Sequence, residues 1–578
     1  MPGITGYIGS NINQLNFINH GDTNEDNLIK NRTKSDSFYF ERKVNQKFIN
    51  DKVFFEDDNY LIITDGVLLN SRQLMAKYQE ETLEKTLISM YKNKKELFFQ
   101  DIRGSYSCVF HDKNEDLWLI YTDQVGDKKV YYSLIEGGIL LGSRSSDLSN
   151  ILKDNNNSLS LDEESCLCML TFGYMIDDNT LFKEIKKLLP GHYIKVESKK
   201  IEIKRYFQFN NTPTIFGNED EIIDELDRLF RDAVKLQFDK DQEYGYKHIA
   251  SLSGGLDSRM VNFVAHDLGY KNLLNYTFSQ SNYLDEKIAK QIAVDLNHEF
   301  IFKSLDDAKF LLDIENVVKI SGGTSIYYGM AHSKNNLESL NLAPYGLVHT
   351  GQLGDVIVGS FSKSRKHEKV SFSEYVYSTK YKDRLDRIEY INYENDELFK
   401  MYNRGFNFAL NGNLSFQEQT ESFSPFYNLE FMQFCLNIPL EKRINHNLYY
   451  KWILRKYPAA SHYIYEKIKS KITTPRYLIK SKNLSIKIVN KVLKTLKLPA
   501  LYGYNAKRGM NPFDYWYRKN QDLKEFIISY YKENIDLLDS HKSIKIMCQD
   551  LYRDGITVEK IQVLTILATV KVFIGDNR

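Results

Sequence analysis

The chain has 578 residues, 42% hydrophobic and 26% charged, and a formal net charge of +1. That length exceeds one hydrophobic core, so two or three domains are expected. The near-neutral balance excludes a nucleic-acid binder driven by phosphate neutralisation, and no run of about 18 apolar residues offers a membrane span. With no secretory leader, the reading is a cytoplasmic protein.

The first part, to about Asn210, reads as short strands separated by turns. "NYLIITDGVLLN" (59–70) is apolar, turn, apolar, a hairpin signal at Asp65-Gly66. "IRGSYSCVFHD", "DLWLIYTDQVGDKKVYYS", "GGILLGSRS" and the hairpin "LLPGHYIKVESKKIEIKRYF" continue the rhythm. One sheet-rich domain is expected over 1–210. The polar stretch "NNTPTIFGNED" then marks a boundary, with a second domain over 211–578. In "DEIIDELDRLFRDAVKLQF", Ile222, Ile223, Leu226, Leu229, Phe230, Ala233 and Val234 share one helical face. Helical patterns then alternate with the apolar runs "HIASL", "LLNYTFS", "HEFIFK" and "LVHTG", which predicts a doubly wound parallel sheet. From about Asn428 the chain reads as helical, with one Lys-rich run, "EKIKSKITTPRYLIKSKN". The five cysteines and twelve histidines show no metal-ligand spacing, so the thiols are expected to be reduced and mostly buried.

The stretch "HIASLSGGLDSRM" (248–260) carries the chemistry. A strand followed by glycines and a helix start is an anion site, because free N–H groups point outward there. Gly254 and Gly255 let backbone approach a phosphate, Ser253 and Ser258 offer hydroxyls, and Asp257 makes sense if it holds Mg²⁺ against a pyrophosphate. The loop lacks the lysine of a Walker loop and the spacing of G-x-G-x-x-G.

It resembles the SGGxDS loop of the N-type ATP pyrophosphatases. "TGQLGDVIVGS" (350–360) is similar to the second loop of the asparagine synthetase family, S-G-E-G-x-D-E-x-x-G-G, and "DIRGSYSCVFHD" and "YTDQVGDKKVYYS" are similar to segments of its N-terminal domain. The chain is identified as resembling that family, including its β-lactam synthetase and lasso-peptide cyclase relatives, over most of its length. The resemblance implies an α/β plus α+β protein. Its N-terminal domain would be Ntn-hydrolase-like, of class II glutamine amidotransferase type, followed by an ATP pyrophosphatase domain with a helical C-terminal part. It implies ATP contacts at Leu252, Ser253, Gly254, Gly255, Asp257, Ser258, Thr277, Phe278, Thr350 and Gly351, and Mg²⁺ at Asp257 and Asp355. "YKWILRKY" is similar to K-x-I-L-R and implies a role for Lys451, while "KIKSKITTP" is similar to R-x-K-x-x-F-S and puts Lys469 on the catalytic lysine.

The chain departs from the family at both ends of the reaction. It begins "MPGI" where glutamine-hydrolysing members have Met-Cys-Gly-Ile, and proline has no thiol nucleophile. "NGEIYN" is replaced by "DGVLLN", with Asp65 and Val67 in the glutamine pocket, and "NHGDTNEDN" lies where "RGPD" is expected. Gln352 replaces the glutamate of S-G-E-G, Val356 the next glutamate, and Phe423 an arginine.

The resemblance implies an ATP- and Mg²⁺-dependent amide-forming ligase, and the substitutions point to a degenerate glutaminase domain. Its acceptor would be a small-molecule, sugar (uronic acid) or peptide carboxylate, aspartate included, and its amine ammonia or the substrate itself. An intramolecular lactam synthetase, a non-catalytic ATP-binding homologue and a tRNA-modifying enzyme stay open. No nucleic acid and no membrane are expected as partners, and a homodimer is compatible with the sequence.

Overall fold

The computed structural model describes residues 2–17, 28–372, 376–495, 506 and 509–575. The segment 19–27, expected near the glutamine pocket, lies outside them.

Residues 3–205 build two six-stranded antiparallel sheets. The first runs, in spatial order, Lys186–Lys187, Tyr131–Ile135, Gly138–Gly142, Gly3–Gly9, Phe38–Val44 and Ile29–Lys34. The second runs Lys200–Arg205, His192–Glu197, Leu117–Thr122, Gly104–Asp112, Tyr60–Leu68 and Phe54–Glu56. Ile8, Phe40 and Leu141 of the first sheet and Ile63, Val109 and Ile194 of the second share one core between the sheets. Alternating apolar residues give each strand a face to bury there.

The hairpin expected at Asp65-Gly66 is not formed. Tyr60–Leu68 is one strand, paired along its whole length with Gly104–Asp112, so that Asp65 faces Ser107 and Gly66 faces Tyr106. Gly66 takes φ +120°, and a Cβ there would lie 2.1 Å from the Ser105 carbonyl oxygen. The glycine serves a close strand approach instead of a turn.

His111, in the strand Gly104–Asp112, stacks on Trp118 at 3.6 Å between ring centres, and both of its ring nitrogens are buried without a hydrogen-bond partner. Burial, reinforced by the charge of Lys113, lowers its pKa to about 4. Between that value and the unfolded value of about 6.5 the unfolded chain binds more protons, so stability falls as pH drops through the window. Denaturant midpoints at pH 6.5 and pH 4 should therefore show wild type losing about 3 kcal/mol more than His111→Phe, which keeps the stack and removes the titration. Equal acid sensitivity of the two proteins excludes this source.

The second half is built on a five-stranded parallel sheet. Helix α1 (Glu219–Glu243) leads into β1 (Lys247–Ser251), followed by α2 (Asp257–Asp267), β2 (Leu273–Ser279), α3 (Leu284–Asp295), β3 (Glu299–Ser304), β4 (Tyr345–His349) and the two-residue β5 (Ser422–Phe423). The spatial order is β3-β2-β1-β4-β5, all parallel. The chain moves outward from β1 through β2 to β3 and then returns to the other side of β1 as β4. That reversal opens a crevice at the carboxyl ends of β1 and β4.

Ile249, Leu274 and Val348 bury one face of the sheet against Leu337, Leu342 and Phe416. Ala250, Leu252 and Leu347 face the larger core, which includes α1, where six of the seven expected face residues are buried and Leu229 is half-buried. Helices dominate from Leu429 to Phe573, among them α4 (Asn447–Lys456) and α5 (Arg476–Thr495). All five cysteines are free and buried.

Candidate active site

The loop after β1 is held by its own small polar residues. The Ser253 N–H donates to Ser258 Oγ at 2.9 Å, the two serine hydroxyls lie 3.0 Å apart, and the Gly255 N–H donates to Ser253 Oγ at 3.1 Å. The Gly254 carbonyl accepts from Arg259 (3.1 Å) and from the Glu466 N–H (3.2 Å). The Gly254 N–H donates to Asp285 Oδ1 of α3 at 2.8 Å. Burial, with the nearby Glu466 charge, raises the Asp285 pKa to about 7 against the opposing pull of that N–H. The carboxylate thus occupies a donor suited to a phosphate oxygen.

The loop after β4 packs directly onto the first. A Cβ on Gly351 would lie 2.3 Å from the Ser258 nitrogen, and one on Gly354 2.5 Å from Asp257 Cγ, so only glycine permits this approach. Leu353 between them has φ +67°, a left-handed conformation that costs a leucine about 1–2 kcal/mol. Burial of its side chain offsets that strain.

Asp257 is the meeting point of the two loops. Its Oδ2 accepts the Asp355 N–H at 3.0 Å and its Oδ1 accepts the Tyr449 hydroxyl of α4 at 2.8 Å. Burial, then the charge of Asp355, pushes Asp257 up to about 8. Lys467 Nζ lies 3.3 Å from Asp355 Oδ2 and 3.4 Å from His446 Nε2. Two adjacent carboxylates, one of them pushed up by burial and by the charge of the other, are an oxygen donor set that fits a hard divalent cation such as Mg²⁺.

Of the other residues expected at the site, Leu252 and Thr277 are buried and Phe278 is half-buried beside His332, with ring centres 4.9 Å apart, at the carboxyl ends of β1 and β2. Thr350 is buried, and its N–H and hydroxyl both donate to the Phe423 carbonyl (2.7 and 3.3 Å). Gln352 donates weakly to the Ala409 carbonyl at 3.4 Å, while its Oε1 is buried with no partner. Lys469 is a half-buried residue at φ +52°, and its carbonyl accepts Lys482 Nζ at 2.6 Å.

Lys451 is not among the residues gathered around Asp257. Lys451 lies two residues beyond Tyr449, on the far side of α4, and pairs at 2.6 Å with Glu219 of α1. Arg455 of the same helix pairs with Asp220 and Asp224.

Tyr449, Lys467, Asp285 and Arg259 escaped the sequence reading. For Lys467 a signal existed, since it stands at the arginine of R-x-K-x-x-F-S. For the other three no local pattern separates them from ordinary helix and turn residues.

Asp241, His248 and His349 have the composition of a metal centre. Here, however, both imidazoles bond the same Asp241 oxygen, at 2.9 and 2.8 Å, and Oδ1 accepts the Leu347 N–H at 2.7 Å. Phe238 stacks on His349 at 3.7 Å. The group is a hydrogen-bonded knot joining α1, β1 and β4 beneath the loops.

At the N-terminal end, Lys128 Nζ lies 3.1 Å from Asp65 and 2.8 Å from Glu421, with the three side chains only 4%, 2% and 2% exposed. Burial pulls the lysine down, but the two carboxylates outweigh it and hold it above its ordinary value. Asp123 positions Lys128, its carboxylate accepting the N–H groups of Val125, Asp127 and Lys128 at 3.0–3.1 Å. Beside Pro2, Asp65 and Lys128 there remains a cavity of about 30 Å³, room for about one water.

Two family models match consecutive parts of the chain, the glutamine amidotransferase domain at residues 50–207 and asparagine synthase at residues 225–387. Asparagine synthetase [glutamine-hydrolyzing] 1 of Bacillus subtilis (strain 168) is 25% identical over 274 residues, 46% of this chain and 42% of that protein. The chain belongs to the asparagine synthetase-like family. Within this family setting, the amidase chyE of Penicillium rubens is 27% identical over 187 residues, 32% of this chain and 26% of that protein. The matched region thus spans less than half the length of these curated relatives. A solved structure, the glutamine phosphoribosylpyrophosphate amidotransferase from B. subtilis, covers 53% of this chain and 85% of its own at 8% identity and a TM-score of 0.24, too slight a likeness to carry an argument. Neither family match reaches Lys451 or Lys469.

Proposed function

We propose that this asparagine synthetase-like chain is an ATP-dependent, amide-forming ligase without a glutaminase of its own, with its division into working halves near residue 210. The observation that carries the proposal is the interlock of the two loops at Asp257, where Gly351 and Gly354 let Asp355 reach the first loop. In this reading a substrate carboxylate attacks the α-phosphorus of ATP, pyrophosphate leaves, and an amine displaces AMP from the acyl adenylate. Mg²⁺ held by Asp257 and Asp355 would offset charge on the departing pyrophosphate. The Gly254 N–H, once Asp285 yields it, and the hydroxyls of Ser253 and Ser258 bind and orient the phosphates, while the N–H groups of Ser253 and Gly255 hold those hydroxyls in place. Lys469 stabilises the acyl-transfer step, and the unpartnered Gln352 Oε1 accepts a hydrogen bond from the incoming amine. Gln352 is neutral and cannot take a proton from ammonium, which favours an acceptor other than aspartate.

The purified protein supplied with ATP, Mg²⁺ and candidate carboxylates should release AMP and pyrophosphate with ammonium or an amine present. ADP and phosphate as products overturn the reading. Glutamine should yield no glutamate, and Pro2→Cys alone should not create that activity, because Asp65 and Val67 stand where the family's Asn and Glu are expected and Asp65 is engaged by Lys128. Stoichiometric glutamate from either protein contradicts the loss of the glutaminase.

A further inference from the structure

Helix α5 (Arg476–Thr495) is amphipathic, yet its apolar face is open to solvent. Tyr477, Leu478, Leu484, Ile488, Val489 and Val492 are each between 42% and 70% exposed. At 3.6 residues per turn these six fall on one broad face, bordered along one edge by Lys480, Lys487 and Lys491 and at the other by Lys482. Single exposed apolar residues need no explanation, but six on one helix face do. The charge around them is one-sided as well. From Lys467 to Phe513 the sequence carries twelve Lys or Arg and no Asp or Glu, in a chain whose net charge is +1.

We propose that α5 is a docking helix for the surface of an anionic phospholipid bilayer, lying in the interface with its apolar face among the acyl chains and its lysines at the headgroups. Three observations favour this occupant. A wide apolar face beside a lysine-rich polar face, at low mean hydropathy, is the pattern of an interfacial helix. Twelve cations without one acid match a negatively charged surface. A second copy of the same helix would bring like charges together, which disfavours self-pairing.

No helix among the described residues is long and apolar enough to cross a membrane, so the contact is peripheral. The helix is tied to the candidate site: Lys482 Nζ donates to the Lys469 carbonyl at 2.6 Å, and Lys467, on the same segment, reaches Asp355. The docking helix is therefore joined to the segment that reaches the candidate site. The inference goes beyond the ligase reading and does not depend on it.

The test is co-sedimentation of the full chain with vesicles of phosphatidylcholine alone and of an equimolar mixture with phosphatidylglycerol. Binding is expected to the mixed vesicles at low salt and not to phosphatidylcholine. Lys480→Gln/Lys487→Gln/Lys491→Gln should weaken it about a hundredfold, from about fivefold for each lysine. Leu484→Gln/Ile488→Gln/Val492→Gln should abolish it while leaving the circular dichroism and thermal midpoint unchanged, since all three side chains are exposed.

Failure of the wild type to pellet with the mixed vesicles overturns the proposal, as does equal binding by the three proteins. A wild-type dimer that the apolar variant dissolves, without vesicle binding, overturns it in favour of a second copy. Binding to polyglutamate as tight as to the vesicles, and unaffected by the apolar variant, overturns it in favour of an acidic protein.

Discussion

Asp257→Asn and Asp355→Asn should each lower turnover at least about a thousandfold, measured as pyrophosphate release, because a phosphate cluster without its countercharge in a water-poor crevice is costly. The stability readout separates function from folding. Burial and the charge of Asp355 hold the native Asp257 pKa near 8, against an unfolded value of about 3.9. Over that interval the native chain keeps a proton that the unfolded chain releases, so its stability falls as pH rises from about 4 towards 8. Asparagine at 257 removes that loss. The variant should be inactive and, at pH 8, no less stable than wild type, the signature of a residue retained for function at a cost in stability. Activity within tenfold of wild type, or a collapse of the thermal midpoint in Asp257→Asn, contradicts this role.

The second large effect divides two lysines. Lys469, placed on the catalytic position by resemblance, should on change to Met lower turnover about a hundredfold or more with little change in the KM for ATP, the pattern of an interaction made in the transition state. Lys467 supplies positive charge to Asp355 at 3.3 Å, where it competes with a bound cation. Lys467→Met should therefore lower the Mg²⁺ concentration needed for half-maximal rate, by about fivefold on the scale of one exposed charge contact, with a smaller loss of turnover. Reversal of the two profiles would transfer the catalytic role to Lys467.

The ion-paired group at the N-terminal end is a packing result. It depends on Lys128 meeting Asp65 within the sheets and Glu421 from beside β5. Burial raises Glu421 to about 7 despite the lysine.

By itself the sequence determined what local chemistry can determine. The glycines and serines of 253–258 announce an anion loop, the periodicity of α1 announces its buried face, and the alternating runs announce both sheet types, since each signal lies within one or two turns of chain. The Asp65-Gly66 reading failed because the same dipeptide serves a turn or a close strand approach, and only the partner strand decides which. Which residue of α4 meets Asp257 was not legible, because a helix repeats its residue types on every side and only packing turned Tyr449 inward. Tertiary structure alone brought Tyr449 to Asp257 across 192 residues and Lys467 to Asp355 across 112. Contacts of that range leave no periodic trace in the chain. They arise from the strand order β3-β2-β1-β4-β5, which sets the ends of β1 and β4 side by side and makes one site of two distant loops.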